Sequence, residues 1–114
     1  MMKLYWVEVA PNPTKVRLYI AEKTDGGAVF EIEEIRVKLM KGEQHQPDHL
    51  QRNPFGTVPV LEISPGDYLI ESLSIIDYLE ECFPTPNLLG ESVNERAKTR
   101  QMERLADLQV LTPI

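Results

Sequence analysis

A proline sits inside an apolar, strand-like run. Residues 58–63 read Val58-Pro59-Val60-Leu61-Glu62-Ile63, β-branched and aliphatic enough for a strand. Proline has no N–H to give to a ladder, so it is excluded from the middle of a central strand. The run is therefore an edge strand, a strand that starts just after Pro59, or a turn about a cis-proline. Ser64-Pro65-Gly66-Asp67 follows as a tight turn, and Tyr68-Leu69-Ile70 returns as a second strand. Together they predict a hairpin.

The rest of the chain is read around that hairpin. Leu4-Tyr5-Trp6-Val7-Glu8-Val9 is aromatic and β-branched and predicts a strand that stops at Ala10-Pro11. Asn12 followed by Pro13 predicts a capped helix start. Val16, Tyr19, Ile20 and Lys23 then form one stripe, and Asp25-Gly26-Gly27 ends the helix. Residues 29–37 read as a second strand with a phase slip at Glu33-Glu34, suggesting a bulge. Residues 41–54 read as a loop with a brief helix near 47–51. Ser72 caps a helix bearing Leu73, Ile75, Ile76, Leu79, Cys82 and Phe83. Pro84-Thr85-Pro86-Asn87 reads as a linker, and residues 93–111 as a last helix with Ala97, Met102, Leu105, Leu108 and Leu111 apolar.

Strand-helix-strand, short helix, hairpin, helix is the order of an α/β unit with a mixed four-stranded sheet and helices on both faces. This is the layout of a thioredoxin-like domain, with a right-handed first crossover. The expected division is residues 1–83 for that domain, 84–92 for a linker, and 93–114 for a further helical segment.

Composition narrows the function classes. Among 114 residues, 18 are acidic and 12 basic, giving a formal net charge of −6. A pI near 4.9 argues against a nucleic-acid partner, which needs a basic surface. No apolar run approaches the roughly 20 residues of a membrane helix, and residues 1–15 lack a signal-peptide pattern. Cys82 is the single cysteine, too few for a disulfide framework, a Cys-rich zinc site or a Cys-x-x-Cys pair. A reducing cytoplasmic setting is expected.

Three motifs point further. Gly42-Glu43-Gln44-His45-Gln46-Pro47-Asp48, then Asn53-Pro54-Phe55-Gly56-Thr57-Val58-Pro59-Val60-Leu61, then Glu71-Ser72 with Ile76 and Tyr78-Leu79, together resemble the glutathione-binding half of a cytosolic glutathione transferase, nearest the bacterial, theta-like and phi-like classes. The resemblance covers residues 3–110. It implies glutathione as co-substrate, a hydrophobic electrophile as second substrate, a homodimer, and no metal. Because the family carries a full helical second domain, it also implies that residues 93–114 are the first helix of an all-α second domain that is cut short here.

Each piece has a physical reading of its own. Glu71-Ser72 precedes an amphipathic helix, whose free N–H groups suit a carboxylate while Glu71 suits an ammonium group; taken without Val58-Pro59 upstream, the pair reads first as an ordinary cap with a solvated glutamate. Val58 before a cis-Pro59 would leave its backbone groups for a peptide ligand to pair with as an added strand; a trans edge proline is the other reading. By resemblance, Val58 binds the cysteinyl backbone, Gln44 and His45 reach the glycine carboxylate, and Thr57 stands where relatives carry Lys or Gln. His45 is also readable as a plain loop histidine, with His49 as the loop's partner. A metal held by His45 and His49 lacks a third ligand.

The site departs from the family most at the position that serves the thiolate. Ala10 falls where relatives place a Ser, Tyr or Cys that stabilises the glutathione thiolate. Lowering a thiol's pKa by about two units needs about 2.7 kcal/mol of selective stabilisation, and alanine donates nothing. Asn12 is the candidate replacement, with Thr14 and the helix's first N–H groups as other donors. A non-catalytic binding or regulatory module is the alternative; a thiol oxidoreductase would need a cysteine near Ala10. Cys82 is expected to be a packing residue, and Trp6 and Phe30 core residues.

Overall fold

The computed structural model describes residues 1–8, 10–38 and 41–111, the side chains of Val110 and Leu111 excepted. Val9, counted above in the first strand, and residues 112–114, counted in the last segment, lie outside the described residues, as does the side chain of Leu111. The elements run β1 (Met2–Trp6), α1 (Pro11–Asp25), β2 (Ile32–Arg36), a 3₁₀ turn (Glu43–His45), α2 (Pro47–Arg52), β3 (Val60–Ser64), β4 (Asp67–Ile70), α3 (Ser72–Cys82) and α4 (Val93–Ala106). The four strands form one mixed sheet in the order β2-β1-β3-β4. β1 is parallel to β2 and antiparallel to β3, and β3 is antiparallel to β4. This is the thioredoxin-like arrangement.

β3 is a central strand, and its ladder opens at Val60. Pro59 therefore stands one residue before the first laddered position, where its missing N–H costs the sheet nothing. The peptide bond between Val58 and Pro59 is cis. The hairpin forms as expected, with an irregular register between Glu62 and Ser64.

Strand alternation sorts the core into two layers. Leu4 and Leu61 face α1 and α3 and pack with Val16, Tyr19, Ile75, Ile76 and Leu79. Tyr5, Val7, Val37 and Val60 form a cluster on the opposite face. There α2 approaches, with the Arg52 guanidinium 4.0 Å from the centre of the Tyr5 ring. At the far end of the sheet Phe30 meets Phe83 edge to face, centroids 4.6 Å apart.

Five local readings are corrected. The bulge expected at Glu33-Glu34 is absent, because β1 and β2 pair without a break from Met2–Ile32 to Trp6–Arg36. Both glutamates are exposed because β2 is an edge strand. The first helix is capped by Ala10 rather than Asn12, with Pro11 in the first turn, since Pro11 itself supplies the helical φ. Ser72 is the first residue of α3, and Glu71 holds the cap position with no side-chain cap bond. Cys82 is exposed, not packed, because it falls in the last turn of α3, beyond the buried stripe of Ile75, Ile76 and Leu79. The final α-helix also ends earlier than expected, at Ala106, passing into a wider π turn at Asp107–Leu111.

Candidate functional site

Topology brings the singled-out residues to one end of the sheet. β1 and β2 are parallel, so their C-terminal ends lie side by side, and the Val37 N–H donates to the Trp6 carbonyl at 2.7 Å. From there β1 leads to Ala10 and β2 leads to the loop of Gln44 and His45. β3 is antiparallel to β1 and enters at that same end, with Val60 opposite Tyr5. Val60 also pairs with Ile70. Val58 and Ser72 each lie two residues beyond that pair, so they emerge together.

The segment before β3 is anchored from beneath. Asn53 is fully buried. Its Nδ2 donates to the Thr57 carbonyl at 3.1 Å and to the Thr57 Oγ1 at 2.8 Å, and its Oδ1 accepts from the Phe55 N–H at 3.0 Å. His49 is likewise buried, and its Nε2 lies 2.9 Å from the same carbonyl. A carbonyl only accepts, so Nε2 carries the hydrogen; Nδ1 is then the acceptor facing Arg52 at 3.4 Å. Nε2 of His49 thus holds the loop, while Nδ1 faces Arg52 of its own helix. His49 takes the place of the loop's partner that the sequence offered, whereas Asn53 is an anchor the sequence reading did not name, although Asn53-Pro54-Phe55-Gly56 carries the Asx-turn signal that marks one.

Gly56 joins this segment to the Gln44 loop. It is buried with φ at +71°, and a Cβ there would meet the Gln44 carbonyl at 3.2 Å and His45 Nδ1 at 3.4 Å. Only glycine gives both that backbone angle and that approach. Gln44 is half-buried, and its Oε1 is shielded from solvent with no partner among the described residues. His45 is exposed.

At the entrance to α3, Glu71 adopts φ +76° and ψ 122°, which an L residue seldom takes. Ser72 is buried, and no hydrogen bond to its hydroxyl is found among the described residues. The Glu71 carbonyl accepts from the Ile75 N–H at 3.0 Å, closing the first turn. The N–H groups of the residues between have no intrahelical partner.

At α1 the donors are fewer than the sequence suggests. The Thr14 hydroxyl donates to the Ala10 carbonyl at 2.8 Å, and the Thr14 N–H bonds the same oxygen at 3.3 Å. That N–H is the first in the helix to find an acceptor. Of the three residues before it, Pro11 and Pro13 have no N–H. Asn12 is exposed and alone supplies both a backbone N–H and a side-chain amide at this helix start.

Residues 4–87 match the family model of the glutathione S-transferase N-terminal domain. The chain belongs to that family. It is 34% identical over 113 residues to glutathione S-transferase 2 of Saccharomyces cerevisiae, covering 99% of this chain and 47% of the yeast protein. It is 35% identical over 111 residues to maleylacetoacetate isomerase of Pseudomonas aeruginosa, covering 96% of this chain and 50% of that one. Among solved structures, a glutathione transferase homologue from Sulfitobacter with bound glutathione superposes with a TM-score of 0.83 at 25% identity, covering 95% of this chain and 49% of that chain. This member of the family thus spans about half the length of the curated relatives it matches. Among its described residues no helix is long and apolar enough to cross a membrane.

Proposed function

We propose that this chain is the glutathione-binding half of a glutathione transferase, and that its site lies where β1, β2 and β3 meet α1 and α3. The observation that carries this is the convergence of four independent segments, ending in Asn12, Gln44, Val58 and Ser72, at one end of the sheet. The loop ahead of β3 offers the Val58 backbone to the cysteinyl part of the tripeptide, beside the Thr57 carbonyl that His49 and Asn53 hold. Ser72, with the unsatisfied N–H groups of α3, takes the γ-glutamyl carboxylate, and Glu71 takes its ammonium group. Gln44 and His45 reach the glycine end; the unpartnered Oε1 of Gln44 is a group a ligand donor would satisfy.

Asn12 faces the thiolate in this reading. With Thr14 committed to Ala10, Asn12 is the one first-turn residue whose N–H and amide are both uncommitted, and the helix dipole adds to them. The thiolate then attacks an electrophile. A homodimer, a cytoplasmic setting and the boundaries at residues 83 and 93 belong to the same proposal, as does a second half that completes the electrophile site.

Calorimetric titration with glutathione tests the binding, and thiolate absorbance across pH tests the activation. Asn12→Ala should leave glutathione affinity within about threefold and raise the bound thiol's pKa by about one unit, or about 1.4 kcal/mol. Ala10→Ser should lower it. Binding with no thiol shift in either variant would instead describe a non-catalytic glutathione module.

A further inference from the structure

The last turn of α1 carries a lysine with no exposed surface. Lys23 pairs with Glu80 of α3, Nζ to Oε1 2.7 Å, and donates also to the Pro86 carbonyl. The Tyr19 hydroxyl donates to that same Oε1. The other carboxylate oxygen accepts from the Leu88 and Leu89 N–H groups at 2.9 and 3.3 Å. One buried carboxylate therefore ties α1, α3 and the α3–α4 connection together.

The connection sits directly on the end of α1. A Cβ on Gly26 would fall 2.4 Å from Pro86 Cγ. Beyond Pro86 the chain stays fixed. Asn87 Oδ1 accepts from the Leu89 and Gly90 N–H groups at 3.0 and 2.7 Å, and its Nδ2 donates to the Gly90 carbonyl at 2.8 Å. Ser92 then caps α4 by accepting from the Glu95 N–H at 3.0 Å.

α4 itself has no buried residue. Among the described residues, its ion pairs to α1 and α3 are Lys15–Glu103 and Arg100–Asp77, the latter at 3.6 Å. Partly exposed ion pairs of this kind hold little. Packing of its own side chains therefore does not place this helix. A buried ion pair is also a poor source of net stability beside an apolar pair of the same volume, whereas it fixes geometry through its directed bonds.

We propose that Lys23, Glu80 and Gly26 form a latch that seats the α3–α4 connection and so sets the position of α4. Lys23 and Glu80 are then positioning residues for the cleft of about 220 Å³ between α1, α3 and α4, bounded by Lys15, Tyr19, Leu73, Ile76, Leu89 and Arg100. That this cleft borders the electrophile site rests on the transferase reading; the latch does not.

The chain has one tryptophan, Trp6, and one cysteine, Cys82. In a Cys82→Ser, Met102→Cys background, a fluorophore on the new thiol reports the distance from Trp6 to α4 by time-resolved energy transfer; Met102 is 69% exposed. With the latch intact a single narrow distribution is expected. Glu80→Ala, Lys23→Met and Gly26→Ala should each shift its mean or broaden it about twofold, and Gly26→Ala does so with every charge in place should the other two fail to fold. Val60→Ala, which empties part of the opposite core face, should lower stability and leave the distribution alone. An unchanged distribution in folded Gly26→Ala, or equal broadening in Val60→Ala, would overturn the latch. Glutathione titration of the same samples should agree within about twofold; absence of binding throughout would defeat the transferase reading and leave the distance result standing.

Discussion

Glu71 shows at the scale of one residue how the site is held against local preference. Its φ of +76° costs of the order of 1–3 kcal/mol for a residue with a Cβ. Glycine takes that angle freely. Glu71→Gly is therefore expected to raise stability by about 0.5–1 kcal/mol while weakening glutathione binding about tenfold or more, since in the proposed site it removes the carboxylate that takes the ammonium group. Urea unfolding and calorimetry on one sample separate the two effects. A variant that loses stability and keeps affinity would show that Glu71 is neither strained nor a contact. The identity of Glu71-Ser72 was legible in the sequence, but the backbone angle was not. A helix-start signal says which residue types suit a cap; the path of β4 into α3 decides which of them stands there.

Among the elements, the sharpest lesson is the start of α1. Asn12-Pro13 is a sound cap signal, yet Pro11 one residue earlier already has the helical φ, so the helix begins at Pro11. The shift matters chemically, because it turns Asn12 from the cap into a residue of the first turn with both its donors uncommitted. The α1 stripe was legible in its spacing, including Lys23. That Lys23 is wholly buried was not, because its partner Glu80 lies on another helix and a local pattern carries no information about it. Burial raises the Glu80 carboxyl, but hydrogen bonds from Lys23, Tyr19 and the Leu88 N–H outweigh it and hold the group below its ordinary value of 4.5. The other charged groups around it are Asp77 and Glu81 on α3 and Arg96 and Arg100 on α4. A lowered folded pKa adds stability that is complete above about 4.5 and is lost as pH falls through the folded value. Acid unfolding should therefore be steeper below 4.5 in the wild type than in Glu80→Gln. Parallel curves would remove Glu80 from the acid response.

For the molecule as a whole, the order of strands and helices was enough to anticipate the sheet, and the sheet in turn gathers the site. Two parallel strands and one antiparallel strand bring Ala10, Gln44 and Val58 to a common end, although 34 and 48 positions separate the latter two from the first. Of the anchors beneath that end, His49 was offered by the sequence as the loop's partner, whereas the bonds of Asn53 to Thr57 and Phe55 are set by the path of the turn and not by residue spacing alone. The apolar stripe that runs from α4 into the π turn stays open: Met102, Leu105 and Leu108 are 69%, 48% and 40% exposed. Such a surface is expected to meet another helix or chain. The central claim is that the four segments at this end of the sheet form one glutathione site. Titrating glutathione into the isotopically labelled chain and following backbone amides tests it most directly. The account predicts saturable shifts at Asn12, Gln44, Val58 and Ser72 with a single dissociation constant, and little change at Phe30 and Phe83 on the opposite end. Shifts confined to the far end, or none at millimolar glutathione, would contradict it.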